Sequence, residues 1–478
     1  VELEQVSITS MSRVEITRSP NPDSPANAIG GTVNLISKSA FERRRPEYVF
    51  KTYLSFRGGD FSFSKQPNPF NKRDYPFEPN VELSAVVPVT KNFGFAVSGL
   101  VTRALNNGQG SLMTWVPNGA GQSANFPATT VTQPYLVRYR LQERPKITVR
   151  ENISLSADWR VSPGNVLTFG FQYAYYTSAF WVRQLQFDVG RVASFGPDFT
   201  QGAAGAGFTQ IIYDAREKTG TTYMPSIRYK HNGPVWQWQT GGAFSRASNH
   251  YRAIDKGFFQ NNNAFYRNLT IRFAEMGFDH PGVVSVTNAT GQPADPYDLA
   301  NYRLESVSSL KFDGTDVVRS VYGWAKRDFD VRVPVTVKGG LDIRSQSRDL
   351  RRPTFNTAHV GLDRLSASVD DNASQWFDPV YGNRDMLYGP KMQWMDLSKI
   401  GSTFREHPEY FNQSVTNQVN DYRSGVTTSQ AITEVISAPF LRLDAKFFHG
   451  RLQMTGGVRY ERTDDAGDGP LVDPTRIY

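Results

Sequence analysis

Apolar and polar residues alternate with a period of two from Tyr48 onward, in segments of roughly ten residues separated by turn chemistry. The clearest pair lies at 153–176. Ile153, Leu155, Ala157, Trp159 and Val161 share one face, and Ser154, Ser156, Asp158 and Arg160 share the other. Ser162-Pro163-Gly164-Asn165 reads as a turn, because proline fixes φ and glycine supplies the positive φ of tight reversals. Leu167, Phe169, Phe171, Tyr173 and Tyr175 then alternate with Thr168, Gly170, Gln172, Ala174 and Tyr176. The pattern predicts an antiparallel hairpin with one apolar-aromatic face and one mostly small or polar face.

The same unit recurs. Strands are predicted near 48–57, 81–89, 93–104, 220–230, 235–248, 315–332, 336–349, 430–447 and 451–463, about eleven with the two at 153–176. Their connections alternate between turns of about two to four residues and long loops near 58–80, 105–147, 181–219, 250–314 and 351–428. Soluble sandwiches keep loops short at both ends, whereas outer-membrane barrels combine short periplasmic turns with long extracellular loops. The expected fold class is therefore all-β, a transmembrane antiparallel β-barrel. An odd strand count leaves one edge unpaired, which hydrocarbon does not tolerate. After Thr463 the sequence enters a further loop, Asp464 to Pro470, so the chain is expected to be a fragment.

Composition narrows the partners. The 478 residues contain 32 Phe and 22 Tyr, yet the mean hydropathy is −0.46. A barrel reconciles the two, since lumen-facing residues dilute the apolar ones. No apolar run reaches the length of about 18 residues that a membrane helix needs. Cysteine is absent, which removes disulfides and thiolate chemistry. The net charge of +8 is dispersed, without the basic block and interleaved aromatics of a nucleic-acid binder, so no nucleic-acid partner is expected. In a barrel such charges line a lumen or meet anionic lipid and lipopolysaccharide headgroups. Val1 is not a start methionine, and no signal peptide follows it.

The first 45 residues differ from the rest. Arg13-Val14-Glu15-Ile16-Thr17-Arg18 is a short strand, Ser19 to Pro25 a proline-rich turn, and Ala28-Ile29-Gly30-Gly31-Thr32-Val33-Asn34-Leu35-Ile36-Ser37-Lys38 a second strand. The Gly-Gly pair permits positive φ and close backbone approach. These two blocks resemble the end of the plug domain in TonB-dependent outer-membrane receptors, whose loose pattern is V-E-V-x-R-G-P, a variable turn, then G-x-I-G-G-x-I-N-I-I-T-K. Ser19 stands where the family has Gly, and the turn at 20–25 lacks the usual aromatic-glycine pair. Gly456-Gly457-Val458-Arg459-Tyr460-Glu461-Arg462-Thr463 is similar to a strand found midway through those barrels.

The resemblance implies a plug remnant over 1–45 and the first half of a barrel over 46–478, about eleven of about twenty-two strands. It implies energy-coupled uptake of a scarce ligand, an iron-siderophore, glycan, cobalamin or similar, at the bacterial outer membrane. The partner would be TonB of the TonB-ExbB-ExbD complex, reached through an N-terminal segment that this sequence lacks. Glu15, Arg18, Gly30, Gly31 and Asn34 carry the plug motif, and Glu15 and Arg18 are candidates for a charged latch to Glu434, Arg459 and Glu461 on the wall. Trp115, Trp181, Trp376, Tyr381, Tyr388 and Trp394 are ligand candidates, since loop aromatics stack on sugars or catecholates. They equally suit packing of loops against one another.

No HExxH, GxSxG or Walker pattern occurs, so no enzyme, cofactor or metal is expected. Asp370-Asp371 and the isolated His407 read as loop polarity. Two other classes remain open. A passive diffusion channel would share the strand rhythm but carry no plug ahead of its first strand. A secreted β-rich carbohydrate-binding protein would be extracted without detergent.

Overall fold

The computed structural model describes residues 11–469, apart from 27, 29, 57–62, 71, 117–124, 131 and 383. Val1, Asn27, Ile29 and the chain beyond Gly469 therefore lie outside the described residues. A small hairpin pairs β1 (Met11–Thr17) with β2 (Thr32–Ser37). The rest is organised on one large antiparallel sheet, 19 strands among the described residues.

The sheet's wall is a meander in which each strand pairs with the next. It runs through β3 (Glu47–Phe56), β4 (Phe77–Pro88), β5 (Phe93–Val116), β6 (Tyr135–Ser162), β7 (Asn165–Asp188), β8 (Gly207–Asn232) and β9 (Trp236–Arg252). It continues through β10 (Phe312–Phe329), β11 (Val335–Arg351), β12 (Gln430–Phe447), β13 (Leu452–Arg459) and β14 (Arg462–Asp468). β13 and β14 continue one register along β12, broken where the Tyr460 N–H donates to the carbonyl of Pro439. All eleven expected strands form. Among the described residues no ladder joins β3 to β13 or β14, so the sheet is open.

The strands are longer than the alternation suggested. β6 covers 28 residues, about 90 Å of extended chain, where roughly ten residues cross a bilayer. Much of the expected loops at 105–147 and 181–219 is thus strand, as is 464–468, which was expected to be loop. The physical reason is that alternation persists beyond the ten-residue segments, with polar interruptions. Tyr135, Val137, Tyr139, Leu141 and Ile147 keep one face of β6, with Glu143 among them. Arg183 likewise interrupts Trp181, Leu185 and Phe187 on β7.

The loops at 250–314 and 351–428 are not irregular either. They contain strands at Asn261–Met276, Pro281–Asn288, Arg303–Leu310 and Thr354–His359, and the helices α1 (Leu397–Glu406) and α2 (Val415–Thr427). Asp396 caps α1 by accepting from the N–H groups of Ser398 and Lys399, and Ser414 caps α2 by accepting from Asn417. Together they make a cap with the main hydrophobic core of the chain.

One face of the wall changes its neighbour from bottom to top. Near the short turns its apolar side chains are open: Ile153 and Trp159 on β6, Phe169 on β7 and Ile227 on β8 are 44–53% exposed. The β7–β8 register is unbroken, and β6–β7 shifts only beside the turn, after Arg160. Higher on the same face Tyr139, Leu141, Trp181, Leu185, Phe187, Ile211 and Tyr213 are buried under the cap. The opposite face is mostly polar. Ser84, Ser98, Asn152, Ser154 and Asp158 are sheltered low on it, and higher up Arg140, Gln186, Gln210 and Asn263 form a hydrogen-bonded ladder of 2.6, 3.3 and 3.1 Å.

Candidate functional site

The β1–β2 hairpin lies on this polar face. Its strands pair in register from Arg13↔Ile36 to Thr17↔Thr32. Between them Pro20, Pro22 and Pro25 stiffen a turn closed by backbone bonds from Ala28 to Pro25 and from Gly31 to Ala28. Gly31 has φ +105°, and a Cβ there would lie 2.5 Å from the Thr17 carbonyl oxygen, so the close approach requires glycine.

The turn presents Asp23 to two cations of the wall. Its carboxylate accepts from Lys338 Nζ on β11 at 2.6 Å and from Arg442 Nη1 on β12 at 3.1 Å. Burial pushes the Asp23 carboxyl up, but the hydrogen bonds and charges of Lys338 and Arg442 outweigh it and hold it below the ordinary range. Arg442 also donates to Asp444, and Lys338 sits 4.7 Å over the Trp324 ring. Beside them the Ala26 N–H donates to Glu461 at 3.1 Å.

The other end of the hairpin is fixed to strands across the sheet. Lys38 donates to Ser84 on β4 at 3.1 Å, and the Ser39 hydroxyl to Asp158 on β6 at 2.6 Å. Ala40 is buried against Val86 and Ala96. A Cβ on Gly94 would come within 2.6 Å of the Ala40 methyl, so this contact depends on a glycine in β5. The Phe41 ring lies 4.9 Å under the Arg160 guanidinium. The hairpin thus ties early strands of the meander to late ones.

The residues expected to form the latch are placed differently. Glu15 pairs with Arg13 on its own strand at 2.8 Å, and no ion pair joins Arg18 to a described residue. Glu434 faces Arg344 of the neighbouring strand at 3.6 Å. Arg459 pairs with Glu461 at 2.7 Å, and of these wall groups it is Glu461 that contacts the hairpin, through the Ala26 backbone. Gly30 precedes the φ-positive Gly31, and Asn34 lines a cavity beside the wall. Asp23, Lys338 and Arg442 escaped notice. The available signal was that Asp23 is the one carboxylate in the proline-rich turn.

The candidate ligand aromatics are mostly cap core. Trp181, Trp376, Tyr381 and Trp394 are buried, and Trp115 packs against the same cluster. Arg183 and Asp378 lie among them, both with fully buried side chains, 3.2 Å apart, with the guanidinium 3.7 Å over the Tyr381 ring. Tyr388 is the exposed one. It stacks on His280 at 3.9 Å and donates to Asp279 at 2.5 Å.

A second buried pair in the cap brings His359 Nδ1 to 2.7 Å from Asp371 Oδ1. Burial pushes His359 down to about 4 and Asp371 up to about 6. Between those values the folded pair holds one proton, on Asp371, and the unfolded pair also holds one, on His359. Equal proton counts give no pH dependence. Asp371→Asn removes this balance. The unfolded chain then binds more protons than the folded one, so cap stability falls as pH drops from 6.5 through about 4, by on the order of 3 kcal/mol. Proteolysis of the cap against pH should be flat for the parent and acid-sensitive for the variant.

No family model matches the chain, and no curated protein sequence matches it.

Proposed function

We propose that the chain is the wall and plug hairpin of a gated outer-membrane importer of the TonB-dependent receptor class. The observation that carries the reading is the inversion of the lower wall. Apolar side chains are open on one face, while polar ones are sheltered with the hairpin on the other. In water a contiguous apolar belt of this extent is a liability, whereas in a bilayer it is the surface that meets lipid. Closure of the wall into a barrel belongs to the proposal, since hydrocarbon does not tolerate an open sheet edge.

On this reading the polar face is the lumen and the hairpin blocks it. The block is held by switchable contacts: two charge-assisted hydrogen bonds at Asp23 and two hydrogen bonds at Lys38 and Ser39. Such contacts release when the hairpin is pulled, which is the work TonB performs with energy from the inner membrane. The cargo is a scarce solute, iron-siderophore, glycan, cobalamin or similar. Uptake by cells carrying the complete gene should vanish on loss of TonB. Uptake that persists would make the protein a passive diffusion channel, and release from cells without detergent would make it a secreted binder.

A further inference from the structure

We propose that the cavity between the hairpin and the wall is a binding site for a neutral polyhydroxylated solute of about disaccharide size. The cavity measures about 540 Å3 and is roofed by Asn34 to Ser39. That volume lies within the roughly 300–1,000 Å3 of small-molecule sites. Its floor is formed by β6, β7, β8, β9 and β10 on the polar face.

The floor presents uncharged hydrogen-bonding groups that the protein leaves unused. Ser154, Ser156, Gln172 and Ser226 line the cavity, and none of their side chains bonds to another described residue. Ser154 is 7% exposed, Ser156 and Gln172 are half-buried, and Ser226 at the margin is exposed. A sheltered polar group costs free energy unless a partner meets it. A ligand with hydroxyls around its whole perimeter can donate to and accept from all four.

The charged groups at the edge are already engaged with hydroxyls. Asp158 accepts from Ser39 at 2.6 Å and from Thr168 at 2.8 Å, and Lys38 donates to Ser84 at 3.1 Å. Arg228, also in the lining, donates to the Thr168 hydroxyl at 3.4 Å, so each charged lining group already has a hydroxyl partner. The chemistry favours a neutral polyol over an anionic chelate.

The lining residues of β6 and β7 lie within nine positions of the short turn at Pro163-Gly164, on the opposite end of these strands from the cap. The site is thus on the release side of the hairpin and separate from any recognition by the loops. It rests on the importer reading only for that direction of passage; binding itself does not.

The test is trehalose binding to the purified full chain in a detergent without sugar headgroups, followed by saturation-transfer NMR. The folded parent should bind with a Kd on the order of 1 mM, and Ser154→Leu and Gln172→Leu should each weaken binding by at least about tenfold. Retained heat-modifiable migration on gels shows that the variants fold. Absence of trehalose binding by the folded parent, unchanged binding in both folded variants, or tighter binding of inorganic phosphate than of trehalose would each overturn the proposal. TonB-independent uptake would overturn the importer reading alone.

Discussion

Replacing Arg183 by alanine is expected to release the cap from the wall, at a cost of about 3–5 kcal/mol. The guanidinium and Asp378 have fully buried side chains and are 3.2 Å apart. Taking away one partner strands the other charge in the core. Asp378 cannot turn to water, because its second oxygen also accepts from the Val380 and Tyr381 N–H groups. Arg183→Lys keeps the charge but loses the planar group stacked 3.7 Å over Tyr381, so it should fall between parent and alanine. Hydrogen exchange should show Ile211, Leu304 and Trp394 losing protection together while the lower strands keep theirs. Uniform loss along β6 would mean that the cap and the wall unfold as one unit.

The second large effect is expected at Asp23. Its two charge-assisted hydrogen bonds are each worth about 1.5–3 kcal/mol, and Asp23→Ala removes both. Lys338 and Arg442 then face one another with Asp444 as their remaining counter-charge. The docked hairpin should lose population by on the order of 100- to 10,000-fold relative to the undocked one. Planar-bilayer recordings of the complete protein should change from closed to intermittently open. The exchange Asp23→Lys with Lys338→Asp should restore part of the closed state, which a merely destabilised wall would not. An alanine variant that stays as closed as the parent would show that the Lys38 and Ser39 contacts suffice.

Much of the wall was legible because lipid-like exposure and period two are encoded residue by residue. Ile153, Trp159 and Phe169 stand open where alternation placed the apolar face. Leu452, Met454, Val458 and Tyr460 are exposed on the last strand, while Arg459 and Glu461 turn to the other side, with 9% and 20% of their side chains accessible. The upper wall was hidden for a definite reason. There the outward face is covered by protein, so Glu143 and Arg183 can sit in it once paired, and the apolar run looks interrupted.

The cap could not be read at all from periodicity. Its strands and two helices are held by contacts between distant segments, such as Tyr213 with Met395 and Tyr302 with Thr209. Trp376 and Trp394 carry no sequence mark that separates a buried anchor from a ligand platform. The latch was legible in part, since Glu461 contacts the hairpin through the Ala26 N–H. The hairpin motif drew attention to Glu15 and Arg18, but β-pairing turns Glu15 towards Arg13, and it is the irregular turn that reaches the wall.

The absence of cysteine permits the most direct test of the central reading, that the lower wall faces lipid with one side and an aqueous lumen with the other. Single cysteines placed in turn at 152 to 157 of the membrane-reconstituted protein would be spin-labelled and probed with oxygen and with a water-soluble nickel chelate. Labels at 153, 155 and 157 should collide with oxygen, and labels at 152, 154 and 156 should not, giving a period of two. Equal access of the nickel chelate to the odd positions, or no period at all, would contradict the account.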